Sequence, residues 1–156
     1  IVFGDWSSDV CSSDLACRSL EVEMPSKVRS VIRFDLNLSK RMYAGGDIIL
    51  IPSRYEPCGL TQMIAMRYGC VPLARATGGL TDTIVDEDQS NHNNGYLFFE
   101  PIPEDMSQTL SRAISDYADR KKWQILQSNG LNTDFSWEKS ALEYANIFIK
   151  LVEGEL

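Results

Sequence analysis

The sequence has little of what metal sites, nucleic-acid interfaces and membrane spans require. It contains one histidine, His92, and four cysteines that form no CxxC pair, so no metal site is predicted. Lys and Arg number 15 against 22 Asp and Glu, and the net charge of −7 argues against nucleic acid as the main partner. No apolar run reaches the roughly 18 residues of a membrane span. With no secretory segment either, the free thiols indicate a reduced, intracellular protein.

The first 15 residues differ in character from the rest of the chain. The chain begins with Ile, and residues 5–15, DWSSDVCSSDL, nearly repeat the triplet SSD. This stretch resembles a translated sequencing-adapter tail, a contaminant of gene predictions from environmental DNA, and a disordered leader is the alternative. We therefore divide the chain into residues 1–15, an artefact or leader, and residues 16–156, which we interpret as part of a globular domain.

Strand and helix patterns alternate every ten to fifteen residues through the middle of the chain, which is typical of βαβ units and a parallel sheet. A doubly wound domain usually has about six strands, and fewer are visible here. The predicted fold is therefore α/β, a partial Rossmann-like parallel sheet followed by C-terminal helices whose apolar stripes form core. The predicted strands are residues 27–34, 47–51, 71–75 and 96–100. The predicted helices are residues 38–46, capped by Ser39, residues 59–69 and 76–86, and three more that begin at Pro103, before Trp123 and after Ser136.

Two strand–helix junctions carry candidate binding residues. In open α/β sheets, ligands bind outside the carboxyl ends of the strands. At the first junction, PSRYEPCGLTQ (residues 52–62), Gly59 permits close approach of a ligand, and the amides at the helix start attract an anion. Glu56 would then accept hydrogen bonds from sugar hydroxyls. By spacing alone, a helix cap at Glu56 and a core thiol at Cys58 are equally good interpretations.

The second junction is RATGGLTD, residues 75–82. Thr77 is a candidate cap, and Gly78 and Gly79 permit a tight approach, although TGG before a helix often serves packing alone. Arg75, at the end of the preceding strand, faces a negative ligand or forms a surface ion pair.

Residues 44–86, which contain both EPCGLTQ and TGGL, closely resemble the C-terminal domain of bacterial glycogen synthases and plant or algal starch synthases. DFSW at residues 134–137 extends the resemblance more weakly. The resemblance implies a GT-B glycosyltransferase with its active site between two Rossmann-like domains. It implies transfer of glucose from ADP-glucose, or UDP-glucose in some relatives, to the non-reducing end of an α-1,4-glucan, with retention and without a metal or other cofactor. The compartment implied is a bacterial cytoplasm or a plastid stroma.

The resemblance also assigns roles to residues. Glu56 matches a glutamate near the hydroxyls of the donor sugar, and Cys58 and Gly59 match positions whose amides contact that sugar. Leu60 and Thr61 match the amides that hold the donor phosphate.

Two further parts of the chain match less firmly. Phe34 falls where a family aromatic stacks on the base, and Arg75, Thr77, Gly78 and Gly79 match the second motif. The family's N-terminal domain, with the acceptor groove, is absent from this sequence, so we expect the 156 residues alone to be inactive. Three alternatives stay open: another retaining GT-B enzyme, a non-catalytic module that binds sugar nucleotides, and a half-domain that binds nothing.

Overall fold

The computed structural model describes residues 12–86 and 92–154. Ten helices and strands follow one another in these segments, and they alternate through the middle of the chain as predicted. They are α1 (Ser12–Glu23), α2 (Leu36–Gly45), β1 (Ile48–Ile51), α3 (Thr61–Arg67), β2 (Val71–Arg75), α4 (Gly79–Thr83), β3 (Tyr96–Phe98), α5 (Pro103–Ala118), α6 (Arg120–Asn132) and α7 (Trp137–Glu153).

The strands form one parallel sheet in the order β1-β2-β3. Leu73 of β2 pairs with Leu50 on one side and with Tyr96 on the other. The central strand is buried from Val71 to Ala74, as expected for a strand covered on both faces. The predicted parallel α/β architecture is confirmed.

Helices cover both faces of this sheet. Because side chains alternate along a strand, Val71 and Leu73 pack on one face while Ala74 packs on the other. The first face is closed by α5 and α6, through Ala113, Trp123 and Leu126. The second is closed by α3, α4 and the residue that follows α4, through Met66, Leu80 and Ile84.

The predicted strand at residues 27–34 is wrong, so the described sheet has three strands rather than four. Polar groups of this segment bond back to α1 and to the residue that follows it, instead of to a neighbouring strand. Val28 N donates to Met24 O over 2.9 Å, and Ser30 donates from its amide to Glu21 and from its hydroxyl to Cys17 O. Those groups are not available for pairing with β1.

Helix α2 begins earlier than predicted, and Asp35 rather than Ser39 is its N-cap. Asp35 Oδ1 accepts a hydrogen bond from Leu38 N over 3.0 Å. That bond and the one from Arg33 hold the pKa of Asp35 below its usual value. Ser39 Oγ instead donates to Leu36 O.

Helix α1 runs across the boundary predicted after Leu15, because it begins at Ser12. Asp14, inside the segment interpreted as an artefact or leader, is buried. Residues 1–11 lie outside the described part of the chain. The interpretation of residues 1–15 stays a prediction about the gene.

The apolar side of α7 is exposed, so the prediction that it forms core is wrong for this chain. Trp137 is 83% exposed and Val152 is 88% exposed. The cap predicted for this helix is confirmed, since Ser136 Oγ accepts from Lys139 N. No helix in the described segments is long and apolar enough to cross a bilayer.

Candidate functional site

The parallel pairing of β1 with β2 brings the two candidate junctions to one edge of the sheet. Ile51, the last residue of β1, pairs with Ala74 near the end of β2. The chain therefore leaves both strands at neighbouring points, and residues 52–60 and 76–78 form adjacent connections. This is the carboxyl edge, where ligands bind in open α/β sheets.

The two connections touch through their backbones. Gly79 N donates a hydrogen bond to Glu56 O over 3.1 Å. A Cβ atom at Gly79 would lie 2.4 Å from Cys58 O and 2.6 Å from Cys58 Cα, so position 79 has no room for a side chain. The glycines of the second motif thus serve contact with the first motif, which is the packing interpretation of TGG.

Gly59 is required by both conformation and space. Its φ of +71° lies in the left-handed region that favours glycine. A Cβ there would lie 2.8 Å from Gln62 Oε1 and 3.1 Å from Glu56 Cγ. The turn between β1 and α3 therefore folds tightly against the side chains on either side of it.

Glu56 does not cap a helix and Cys58 is not a core residue, although the spacing in the sequence is compatible with both roles. Helix α3 has Leu60 at its N-cap and no side-chain cap bond, so Glu56 does not cap it. The carboxylate of Glu56 is half-buried and lies 3.5 Å from Ser53 Oγ. Cys58 is exposed rather than part of the core. Both side chains are thus accessible at the carboxyl edge.

The start of α3 presents unused amides beside these side chains. Within the described segments, no acceptor bonds the N–H groups of Gly59, Leu60 and Thr61. The first bond of the helix is from Ile64 N to Leu60 O, over 2.9 Å. Amides at a helix start carry partial positive charge and can bind an anion.

The guanidinium of Arg75 holds the first connection. Its Nε donates to Ser53 O over 2.8 Å, and its Nη2 donates to Arg54 O. These bonds fix the backbone just before Glu56. Arg75 forms no ion pair in the described segments, and its contact with a ligand stays a prediction.

Thr77 does not cap α4 with its side chain. The N-cap is Gly78, with φ of +49° and no side-chain cap bond. Thr77 instead uses its carbonyl oxygen, which accepts from Leu80 N over 3.2 Å. The predicted cap is therefore corrected.

Phe34 lies directly before the N-cap of α2 and is 78% exposed. An exposed aromatic ring is what stacking on a base would need. Its role stays a prediction.

Gln62 ends the EPCGLTQ motif, and its position in the sequence predicts no role for it. Its side chain is fully buried at the start of α3, and its Nε2 donates to Cys58 O and Gly59 O over 3.1 and 3.0 Å. A polar residue in the first turn of a helix is usually exposed, so the pattern carried no signal for this burial. In the described segments, no three potential metal ligands cluster.

Comparison with known proteins shows the family of the chain. The family model described as glycosyl transferases group 1 matches residues 12–126. A glycogen synthase of Geotalea daltonii is 52% identical over 118 residues, which are 75% of this chain and 24% of that protein. A glycogen synthase of Kosmotoga olearia is 44% identical over 132 residues, 84% of this chain and 28% of that protein. The chain thus spans about a quarter of the length of these relatives.

Solved structures agree with the sequence matches. The catalytic domain of starch synthase IV from Arabidopsis thaliana, bound to ADP and acarbose, superposes with a TM-score of 0.78 at 38% identity. The match covers 89% of this chain and 30% of that one. The C-terminal domain of a glycosyl transferase group 1 family protein from Francisella tularensis gives a TM-score of 0.58 at 26% identity, over 78% of this chain and 62% of that one. The predicted fold class and the predicted resemblance are both confirmed.

Proposed function

The chain belongs to the glycosyl transferases group 1 family, and we propose that it is the donor-binding part of a glucan synthase. The full-length protein would transfer glucose from ADP-glucose to the non-reducing end of an α-1,4-glucan, with retention of configuration. The observation that carries the proposal is the contact between the two motif connections at the carboxyl edge, where Gly79 N bonds to Glu56 O. That contact leaves a carboxylate, a thiol and unused amides together at one accessible place.

The arrangement suits a nucleotide sugar. The amides of Leu60 and Thr61 would hold the donor phosphate, because N–H groups at a helix start complement negative charge. The amides of Cys58 and Gly59 would contact the sugar. Neutralised in this way, the phosphate leaves more readily.

Glu56 would orient the sugar and stabilise positive charge that develops at the anomeric carbon. Its carboxylate is next to the turn and only half-buried, so it can accept hydrogen bonds from hydroxyls. Retaining glycosidases use two carboxylates about 5 Å apart. The motif supplies one, so we propose orientation and charge stabilisation for Glu56, rather than attack on the sugar.

Three features of the proposal depend on relatives. The starch synthase structure with bound ADP favours ADP-glucose over UDP-glucose as the donor. Phe34 would stack on the adenine ring. The glucan acceptor would bind to an N-terminal domain outside the 156 residues, so we expect this chain alone not to transfer glucose.

The test begins with the gene. The source DNA is resequenced across Leu15 and Ala16, and the reading frame that encodes the complete protein is expressed. We expect incorporation of glucose from ADP-glucose into glycogen, and we expect Glu56→Gln to reduce kcat by at least about 100-fold. Binding of ADP without turnover would support a non-catalytic module instead. Unchanged turnover in Glu56→Gln would refute the role given to that residue.

A further inference from the structure

A single buried amide joins the two motif connections. Gln62 Nε2 donates to Cys58 O, to Gly59 O and, over 3.1 Å, to Thr83 Oγ1. The first two acceptors belong to the turn that carries the candidate sugar-binding amides. The third belongs to α4, the helix that follows the TGG motif.

Thr83 extends this connection back to the glycine motif. Its hydroxyl accepts from Gln62 and donates to Gly79 O over 2.7 Å. Gly79 in turn donates to Glu56 O. The bonds therefore close a loop that runs from Glu56 through Gly79, Thr83 and Gln62 back to the turn at Cys58 and Gly59.

The other atom of the Gln62 amide also constrains the turn. Gln62 Oε1 is buried and has no hydrogen-bond partner in the described segments. It occupies the space that a Cβ at Gly59 would need, at 2.8 Å from that position. An unsatisfied buried oxygen costs free energy. The side chain is nevertheless held there by its nitrogen, whose two N–H groups are shared among the three acceptors.

We propose that Gln62 is a positioning residue, which sets the direction of the amides from Cys58 to Thr61 and the place of Glu56 by bonding the turn to α4. The proposal rests on the proposed function, because it concerns how the donor is held. Gln62 itself is fully buried and would not touch the donor. Its effect passes through the peptide planes of Cys58 and Gly59, whose carbonyl oxygens it binds.

The side-chain chemistry makes the proposal testable. Gln62→Met keeps the length of the side chain and removes all three donated bonds. Gln62→Glu keeps the shape but replaces the donor with an oxygen that repels the two carbonyls. Thr83→Val preserves the shape of the side chain and removes only the bonds at α4. It should therefore displace the turn at Cys58 and Gly59 less than Gln62→Met does.

Gln127 supplies a matched control. Its Nε2 donates to Gly69 O over 2.8 Å, at the opposite end of α3. Gly69, like Gly59, has a positive φ. Gln127→Met therefore removes the same kind of bond from the same kind of turn, away from the carboxyl edge.

The first measurement is steady-state kinetics of the full-length protein with ADP-glucose and glycogen. For Gln62→Met we expect kcat/KM for the donor to fall at least about tenfold, because small misplacements of binding groups are costly. The fall in kcat/KM for the donor should be larger in Gln62→Glu and smaller in Thr83→Val. The KM for glycogen should not change in any of the three variants. If Gln62 were needed only for folding, its substitution would lower the amount of active protein. It would not lower kcat/KM for the donor selectively while leaving the KM for glycogen unchanged.

The second measurement does not depend on turnover. Hydrogen–deuterium exchange of the Gly79 amide, which bonds to Glu56 O, and the alkylation rate of the exposed Cys58 are compared in the same variants. We expect both to increase in Gln62→Met and Thr83→Val and to stay unchanged in Gln127→Met. If the wild type shows no turnover while these changes occur, the proposed function fails and the positioning role stands. If exchange and alkylation match the wild type in Gln62→Met, the positioning role is overturned.

Discussion

A Cβ atom at Gly78 would lie 2.0 Å from the carbonyl oxygen of Glu56, well inside the distance at which atoms collide. The carbonyl group of Glu56, the candidate catalytic residue, can therefore occupy its position only because residue 78, in the second connection, has no side chain. Gly78 also has a φ of +49°, which other residues rarely adopt. The second motif, in this structure, is part of what positions the first.

Gly78→Ala should consequently displace Glu56 as well as destabilise the fold. We expect a loss of at least about 2 kcal/mol in the free energy of unfolding, from the collision and the strained φ together. Gly45→Ala is the control, because nothing lies within 4 Å of a Cβ there. Urea denaturation measures both variants, and equal stability of the two would contradict the prediction.

Sequence reasoning found the fold because the apolar runs and glycines of the middle segment are local signals. The run from Val71 to Arg75 was predicted as a strand with the bounds that the structure has. Residues 27–34 have the same kind of composition, but α1 accepts their hydrogen bonds, as at Ser30 and Glu21. The local sequence does not determine whether such a segment forms hydrogen bonds with a strand or with a helix, because that depends on the tertiary structure.

The sequence predicts where the site lies, at the carboxyl ends of two strands. It does not predict which residues contact one another there. Gly59 and Gly79 were identified from their position after strands, whereas the reason for them lies in a contact between two connections. For Arg75, at the end of a strand, the sequence predicts contact with a negative ligand or a surface ion pair. Its bonds to the carbonyls of Ser53 and Arg54 follow from the course of the loop, which the sequence does not encode locally.

Arg75 should be irreplaceable by lysine. Its planar guanidinium donates from two different nitrogens to two successive carbonyls, and one ammonium group cannot reproduce that geometry. We expect Arg75→Lys to lower the free energy of unfolding by about 1–3 kcal/mol and to speed exchange of the Gly79 amide, which bonds to Glu56 O. Arg54→Lys should do neither, since the protein contacts Arg54 through its backbone carbonyl. Slow exchange in Arg75→Lys would show that the loop does not need this anchor.

The ion pair between Asp86 and Arg112 should matter more than the exposed pairs. Arg112 donates from both terminal nitrogens to Asp86, over 2.7 and 2.6 Å, and its guanidinium lies 5.0 Å from the centre of the Tyr96 ring. Asp86 also accepts from Leu97 N, in β3. The carboxylate thus fixes the end of the α4 connection to the sheet and to α5.

Arg112→Ala leaves that half-buried carboxylate without its cation, so we expect a loss of about 2–3 kcal/mol in the free energy of unfolding. Arg29→Ala is the comparison, because the Arg29 side chain is exposed. Its 3.5 Å pair with Glu21 and its bonds to the carbonyls of Pro25 and Val28 should together contribute about 1 kcal/mol or less. The two variants are compared by urea denaturation at 0.1 M salt. Similar losses in the two variants would show that the two-point ion pair between Arg112 and Asp86 adds no stability beyond that of an exposed pair.

Cys70 should make the fold sensitive to alkaline pH. The thiol is 2% exposed at the end of α3, and burial, with a further contribution from the charge of Asp47, raises its pKa to about 11. Unfolding returns the pKa to the ordinary value near 9.0. Between these two values the unfolded chain releases the proton that the folded chain keeps.

The contribution of Cys70 is therefore fully present below pH 9 and is lost as the pH rises towards 11, by about 2–3 kcal/mol at most. Cys70→Ala removes this dependence, although the cavity it leaves lowers stability at every pH. Urea denaturation from pH 8 to pH 11 should show the two stability curves converging, because other groups titrate alike in both proteins. Parallel curves would mean that the folded protein does not hold the proton of Cys70 more tightly than the unfolded chain does.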